Sequence, residues 1–292
     1  MAATVRLHGG SPPIVDLGVV VTPPWCQHGS VSDELHLNRF GPAGPAQVLM
    51  IHGLTGHGWR WHTLATEHLA EFTVLAPDLL GHGRSSWSAP WTIDANVAAL
   101  ASVIEREADG PVVVVGHSFG GAVALHLAAA CPDLVSGLVL LDPAIGLNGD
   151  RMLTVAEAML ASPDYPDAAE ARAEKVNAAW ADVPVKEIDD ELVEHLIELP
   201  SGRYRWRICV PAMMSYWSEL ARDIVLPRNR TPTTVLQGGL SDPPYVGRTL
   251  VDGLTERLGD DFTLTVLDCR HMVPLAKPVE TAAAIRDMLA RA

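Results

Sequence analysis

The chain has 292 residues, 48% hydrophobic and 19% charged, which is ample material for a large core and excludes intrinsic disorder as the main state. Lys+Arg 21 against Asp+Glu 35 gives a net charge of −14 with no basic run, a field that disfavours nucleic acid and anionic membrane surfaces and suits a neutral or cationic small molecule. Cys26, Cys131, Cys209 and Cys269 are scattered without C-x-x-C or metal-type spacing, so free thiols in a reducing, cytoplasmic compartment are expected. Residues 14–21, the most apolar N-terminal stretch, contain Asp16 and are too short to span a bilayer, so no integral membrane association is expected.

In chain order, residues 17–22 and 34–40 read as strands. Residues 47–51 form a short apolar strand, 59–70 carry helical spacing, 73–76 are a strand and 94–108 a helix. Four consecutive valines at 112–115 make a strand that runs into an alanine-rich helix at 119–130, and 137–141 is again a strand. Continuous apolar strands separated by helices predict a parallel sheet covered on both faces. The rhythm changes between residues 146 and 230, where amphipathic helical patterns at 152–160, 168–182, 190–199 and 212–224 replace strands. Alternation then resumes with a strand at 233–237, a helix at 246–258, a strand at 263–267 and a last helix at 279–290.

The most specific feature is Gly116-His117-Ser118-Phe119-Gly120-Gly121, set between a strand and a helix. This is the G-x-S-x-G nucleophile elbow in its strand–turn–helix context. The sharp turn strains the serine backbone, and Gly116 and Gly120 occupy positions where side chains would clash. A serine hydroxyl needs a base, and His271, after the 263–267 strand, is the histidine that falls in the chain order Ser, acid, His. Two carboxylates compete to orient it. Asp242, just past the 233–237 strand, is preferred; Asp142, which ends the 137–141 strand and precedes Pro143, is the alternative. Gly53 lies in Ile51-His52-Gly53-Leu54-Thr55-Gly56, where the amides of Leu54 and Phe119 are the natural oxyanion donors. No metal or phosphate fingerprint emerges, so no cofactor is expected.

Taken together, His52-Gly53, the Asp78–Ser85 stretch (D-x-x-G-x-G-x-S), the Ser118 elbow, Gly238 to Asp242 and His271 resemble the α/β-hydrolase superfamily, in its serine esterase and lipase-like branch. The resemblance runs from about residue 35 to the C-terminus. It implies an α/β fold: a mostly parallel, eight-stranded sheet with helices on both faces. Residues 1–145 and 231–292 would form the core, and 146–230 a helical cap or lid. Ser85 is a decoy by this reading, since no glycine follows two positions later. Ser118 in place of an elbow aspartate separates the chain from haloalkane dehalogenases and epoxide hydrolases. The implied activity is hydrolysis of a small, largely apolar carboxylic ester through an acyl-enzyme at Ser118. Thioesterase, lactonase or perhydrolase chemistry on the same triad is the nearest alternative, and a triad-bearing small-ligand receptor with negligible turnover is the alternative from another class. Met152, Met159, Trp180, Met213, Met214 and Trp217 are candidates for an apolar pocket, or for packing between cap helices.

Overall fold

Runs such as Val48-Leu49-Met50-Ile51 and the 112–115 valines sit at the centre of a sheet because both of their faces are covered. A computed structural model describes residues 35–292 apart from Ala178 and Asn229. The strand expected at 17–22 therefore lies outside the described residues. The strands are β1 (Leu37–Phe40), β2 (Val48–Ile51), β3 (Val74–Pro77), β4 (Val112–His117), β5 (Val135–Leu141), β6 (Leu196–Glu198), β7 (Tyr204–Trp206), β8 (Thr233–Gly238) and β9 (Phe262–Leu267). Among the described residues the main sheet has seven strands, where eight were expected, in the order β1-β3-β2-β4-β5-β8-β9. Only β1 runs antiparallel to its neighbour.

Alternation along each strand divides the core in two. Leu49, Ile51, Val112, Val114, Leu138, Leu140 and Val235 face one side, beneath α1 (Ile93–Glu107) and α2 (Phe119–Ala130). Val48, Met50, Val113, Val115, Val139, Leu141 and Leu236 face the other, where Ala282, Ile285 and Met288 of the C-terminal helix (Pro278–Arg291) pack with Trp61, Leu64 and Leu69. Helix α2 is buried from Phe119 to Ala129, so its alanines and glycines let it lie close between the sheet and α1.

Between β5 and β8 the chain forms α3 (Gly149–Ala161), α4 (Ala168–Val176), α5 (Val185–His195), the β6–β7 hairpin and α6 (Val210–Glu219). Two sequence expectations change here and in the core. The helix expected at 190–199 begins earlier and stops at His195, because Leu196 pairs with Trp206 and Gly202, at φ 79, closes the hairpin. The helix expected at 59–70 is a 3₁₀ turn, Gly58–Trp61, followed by a single π turn, Leu64–His68. Gly58 donates to Asp78 Oδ1 at 2.6 Å, and Arg60 reaches Glu191 on α5, so tertiary partners hold this segment out of regular helix.

Candidate active site

Parallel register brings the reactive groups to one edge of the sheet. His117 at the end of β4 pairs with Leu141 at the end of β5, so Ser118 and Asp142 leave adjacent strands at the same level. Gly238 of β8 pairs with Leu267 of β9, and His271 follows four residues later. Ser118 stands at φ 54, ψ −119, the strained turn expected of an elbow. A Cβ on Gly116 would strike the Gly120 carbonyl, and one on Gly120 would strike the carbonyls of Ile51 and His52. A Cβ on Gly53 would come within 3.0 Å of Ser118 Cβ, so the β2 loop lies directly against the elbow.

The hydroxyl of Ser118 donates to His271 Nε2 at 2.8 Å, and His271 Nδ1–H donates to Asp142 Oδ2 at 2.6 Å. All three residues are buried, with Asp142 fully so. The second oxygen of Asp142 accepts the Gly238 amide at 3.2 Å, and its own amide donates to Leu236 O at 2.7 Å. The expectation of Asp242 as the orienting acid is thus corrected. Asp242 is exposed on the loop after β8 and has no side-chain partner among the described residues. The β8 end supplies an amide to Asp142, and the loop beyond it turns outward. Asp142, like Ser118, has a positive φ, 44°, which aims its side chain back toward His271 from the strand end.

Two partners of His271 were not singled out from the sequence. His117 Nε2–H donates to the His271 carbonyl at 2.8 Å, and burial beside His271 keeps His117 well below the ordinary histidine pKa. Tyr245 stacks on the His271 ring at 3.8 Å between centroids and 24° between planes. A histidine directly before the serine and an aromatic a few residues past β8 were the only hints. Ser85 is structural as anticipated: it donates to the Asp78 carbonyl and accepts the His36 amide at 2.8 Å.

The amides of Leu54 and Phe119 donate to no acceptor among the described residues. Leu54 lies in a turn closed by Gly56 N–H to Gly53 O at 3.0 Å. His52 braces that turn: Nδ1–H donates to Gly53 O at 2.8 Å, while Nε2 accepts the Leu79 amide at 2.9 Å. Burial, with His82 nearby, holds the His52 pKa well below 6.5, so its ring is neutral with the proton on Nδ1. A cavity of about 430 Å³ begins at this turn and is lined by Thr55, Met159, Trp206, Ile208, Val210 and Trp217, among others. Of the pocket candidates, Met159 and Trp217 line it, whereas Met152 and Met213 are buried in the core. Trp180 packs in a separate cluster with Val183, Ile188, Met272 and Leu275.

Similarity to known proteins agrees with this arrangement. Lipase LipV of Mycobacterium tuberculosis is 62% identical over 256 residues, spanning 88% of this chain and 98% of that protein. Esterase Rv0045c of the same organism is 31% identical over 212 residues, spanning 70% of this chain and 69% of its own. The crystal structure of E-2-(acetamidomethylene)succinate hydrolase superposes with a TM-score of 0.73 at 25% identity, covering 88% of this chain and 95% of that one. The profile described as the alpha/beta hydrolase family matches residues 48–284, from the start of β2 into the last helix. With that span running through the elbow and His271, the chain belongs to the alpha/beta hydrolase family.

Proposed function

We propose that the chain is a serine hydrolase that cleaves carboxylic esters of small, largely apolar substrates, with Ser118 as nucleophile, His271 as general base and Asp142 as orienting acid. The continuous line from Ser118 Oγ through His271 to Asp142 Oδ2 carries this reading. Identity of 62% to a lipase supports ester cleavage as the reaction. In this mechanism His271 Nε2 accepts the Ser118 proton as Oγ attacks the ester carbonyl. The imidazolium is stabilised by Asp142, which keeps its own charge. The tetrahedral oxyanion takes hydrogen bonds from the unengaged amides of Leu54 and Phe119, each contributing on the order of 10²–10³ in rate. The imidazolium then protonates the departing alcohol. A water deprotonated by the same nitrogen hydrolyses the acyl-enzyme and restores Ser118.

The segment from 146 to 230 acts as a cap over this edge, and the cavity of about 430 Å³ between its helices and Thr55 receives the apolar part of the substrate. Among the described residues no helix is long and apolar enough to cross a membrane. The buried thiols of Cys209 and Cys269, outside any disulfide, support a reducing, cytoplasmic setting. A fluorophosphonate probe tests the nucleophile. Wild type is expected to be labelled stoichiometrically and to hydrolyse p-nitrophenyl esters, and Ser118→Ala to do neither. Equal labelling of both proteins would overturn the assignment.

A further inference from the structure

The turn that carries the Leu54 amide has a residue of the wrong kind in its strained position. Gly53 and Gly56 close the turn, so Leu54 and Thr55 are its two central residues. Thr55 has φ 60, and a positive φ at the second central position is the mark of a type II turn, which ordinarily takes glycine or asparagine there. For a β-branched residue this conformation is an outlier that persists only where the surroundings enforce it. Left without outside partners, the strain at Thr55 favours opening of the turn closed by Gly53 and Gly56, and an opened turn no longer fixes the Leu54 amide.

The enforcing contacts come from α5. His195 Nε2–H donates to the Thr55 carbonyl at 3.1 Å, joined by Arg60 Nη2 at 3.4 Å. His195 is the last residue of α5, almost wholly buried, with its ring stacked on His57 at 4.5 Å and lying parallel to Trp206 at 6.1 Å. Glu191, one helical turn earlier on the same face, holds Arg60 through a fork of 3.1 and 2.5 Å and His57 at 2.9 Å. Lys175 of α4 completes the cluster on Glu191, with its ammonium over the rings of Trp180 and Trp206. The i, i+4 pair Glu191 and His195 thus grips the β2 loop at three points: His57, Arg60 and Thr55.

We infer that His195 is a positioning residue for the oxyanion-binding turn: by holding Thr55 in its left-handed conformation, seated α5 keeps closed the turn that carries the Leu54 amide. The inference rests on the ester hydrolase reading for its kinetic consequence. It makes catalytic competence depend on the seating of a helix in the 146–230 segment, since withdrawal of His195 frees the turn to relax. Burial beside His57 keeps the His195 ring neutral, which leaves one nitrogen as donor.

The test crosses the clamp with the strain it holds. On a p-nitrophenyl ester, His195→Ala is expected to lower kcat on the order of 10²-fold, the effect of one lost oxyanion donor, with KM changed far less. Thr55→Gly, which adopts positive φ freely, supplies the strain-free background, and its own kcat and KM are the reference for the double variant. The double variant should recover at least tenfold over His195→Ala. A loss of the same size from His195→Ala with and without Thr55→Gly, or no loss in His195→Ala alone, overturns the inference. If the alanine variant does not fold, His195→Gln and His195→Leu replace it. The glutamine retains a donor and should retain kcat, the leucine should not, and equal values overturn the inference. Crystal structures of wild type and His195→Leu give a readout independent of turnover. Thr55 at negative φ only in the variant supports the clamp even if no ester is hydrolysed, and unchanged positive φ in both refutes it.

Discussion

Asp142 uses both carboxylate oxygens. Oδ1 accepts the Gly238 amide and Oδ2 accepts His271 Nδ1–H. That division dictates what an isosteric change does. In Asp142→Asn the Gly238 N–H demands the amide oxygen, so the NH₂ faces His271 Nδ1 and moves the ring proton to Nε2. His271 can then no longer accept the Ser118 proton. The expected fall in kcat is on the order of 10⁴, with little change in fold. Asp242→Asn alters an exposed carboxylate and is expected to stay within about twofold of wild type. Parallel kinetics on the two variants decide between the acids. In the sequence both aspartates stood just beyond a strand at the same sheet edge, and Asp242 was the one preferred. Neither the outward turn of the loop after β8 nor the φ of 44° at Asp142 is written in residue type.

At the scale of elements, the elbow and α5 each depend on a tight approach. Gly120 lets the start of α2 lie against the β2 loop, where a Cβ would meet the carbonyls of Ile51 and His52. Gly120→Ala must push α2 away from both the sheet and Ser118, so a stability loss of about 1–3 kcal/mol is expected together with a large loss of kcat. Urea unfolding and kinetics on the same preparation check this. Helix α5 depends instead on a buried charge. Burial alone would raise the pKa of Glu191, but Arg60, Lys175 and His57 hold it well below the carboxylate range. Burial lowers Lys175 to about 8, partly offset by Glu191. Glu191→Gln would leave two cations in one apolar pocket and should cost about 3–5 kcal/mol. Adding Lys175→Met should restore part of the lost thermal stability, because it removes one of the unpaired charges. A helix was legible in the 190–199 stretch, but its earlier start and its partners on the β2 loop, more than a hundred residues away, were not.

For the molecule as a whole, buried neutral histidines tie stability to pH. Burial lowers His126 to about 4 and His82 to about 3, and holds His52, His117 and His195 well below the ordinary value. A histidine whose folded pKa is depressed binds its proton more readily in the unfolded chain. Stability is therefore greatest above about pH 6.5 and falls by up to about 1.4 kcal/mol per pH unit per histidine as the pH drops toward the folded values. Thermal melts between pH 7 and 4 should show a steep decline in Tm, and His126→Leu should make that decline shallower. The mostly parallel sheet, the elbow and the singling out of Ser118 and His271 follow from local pattern: apolar runs, alternating helices and one glycine-flanked serine. Such signals are short-range, so the amino-acid sequence by itself determined the fold class and picked out the serine and histidine that the structure brings into hydrogen-bond contact. The pairing of His271 with Asp142, the short turns where a helix was expected at 59–70, the β6–β7 hairpin and the grip of α5 on Thr55 were decided by tertiary structure. Each depends on contacts between residues far apart in the chain, where packing and buried charge outweigh local propensity.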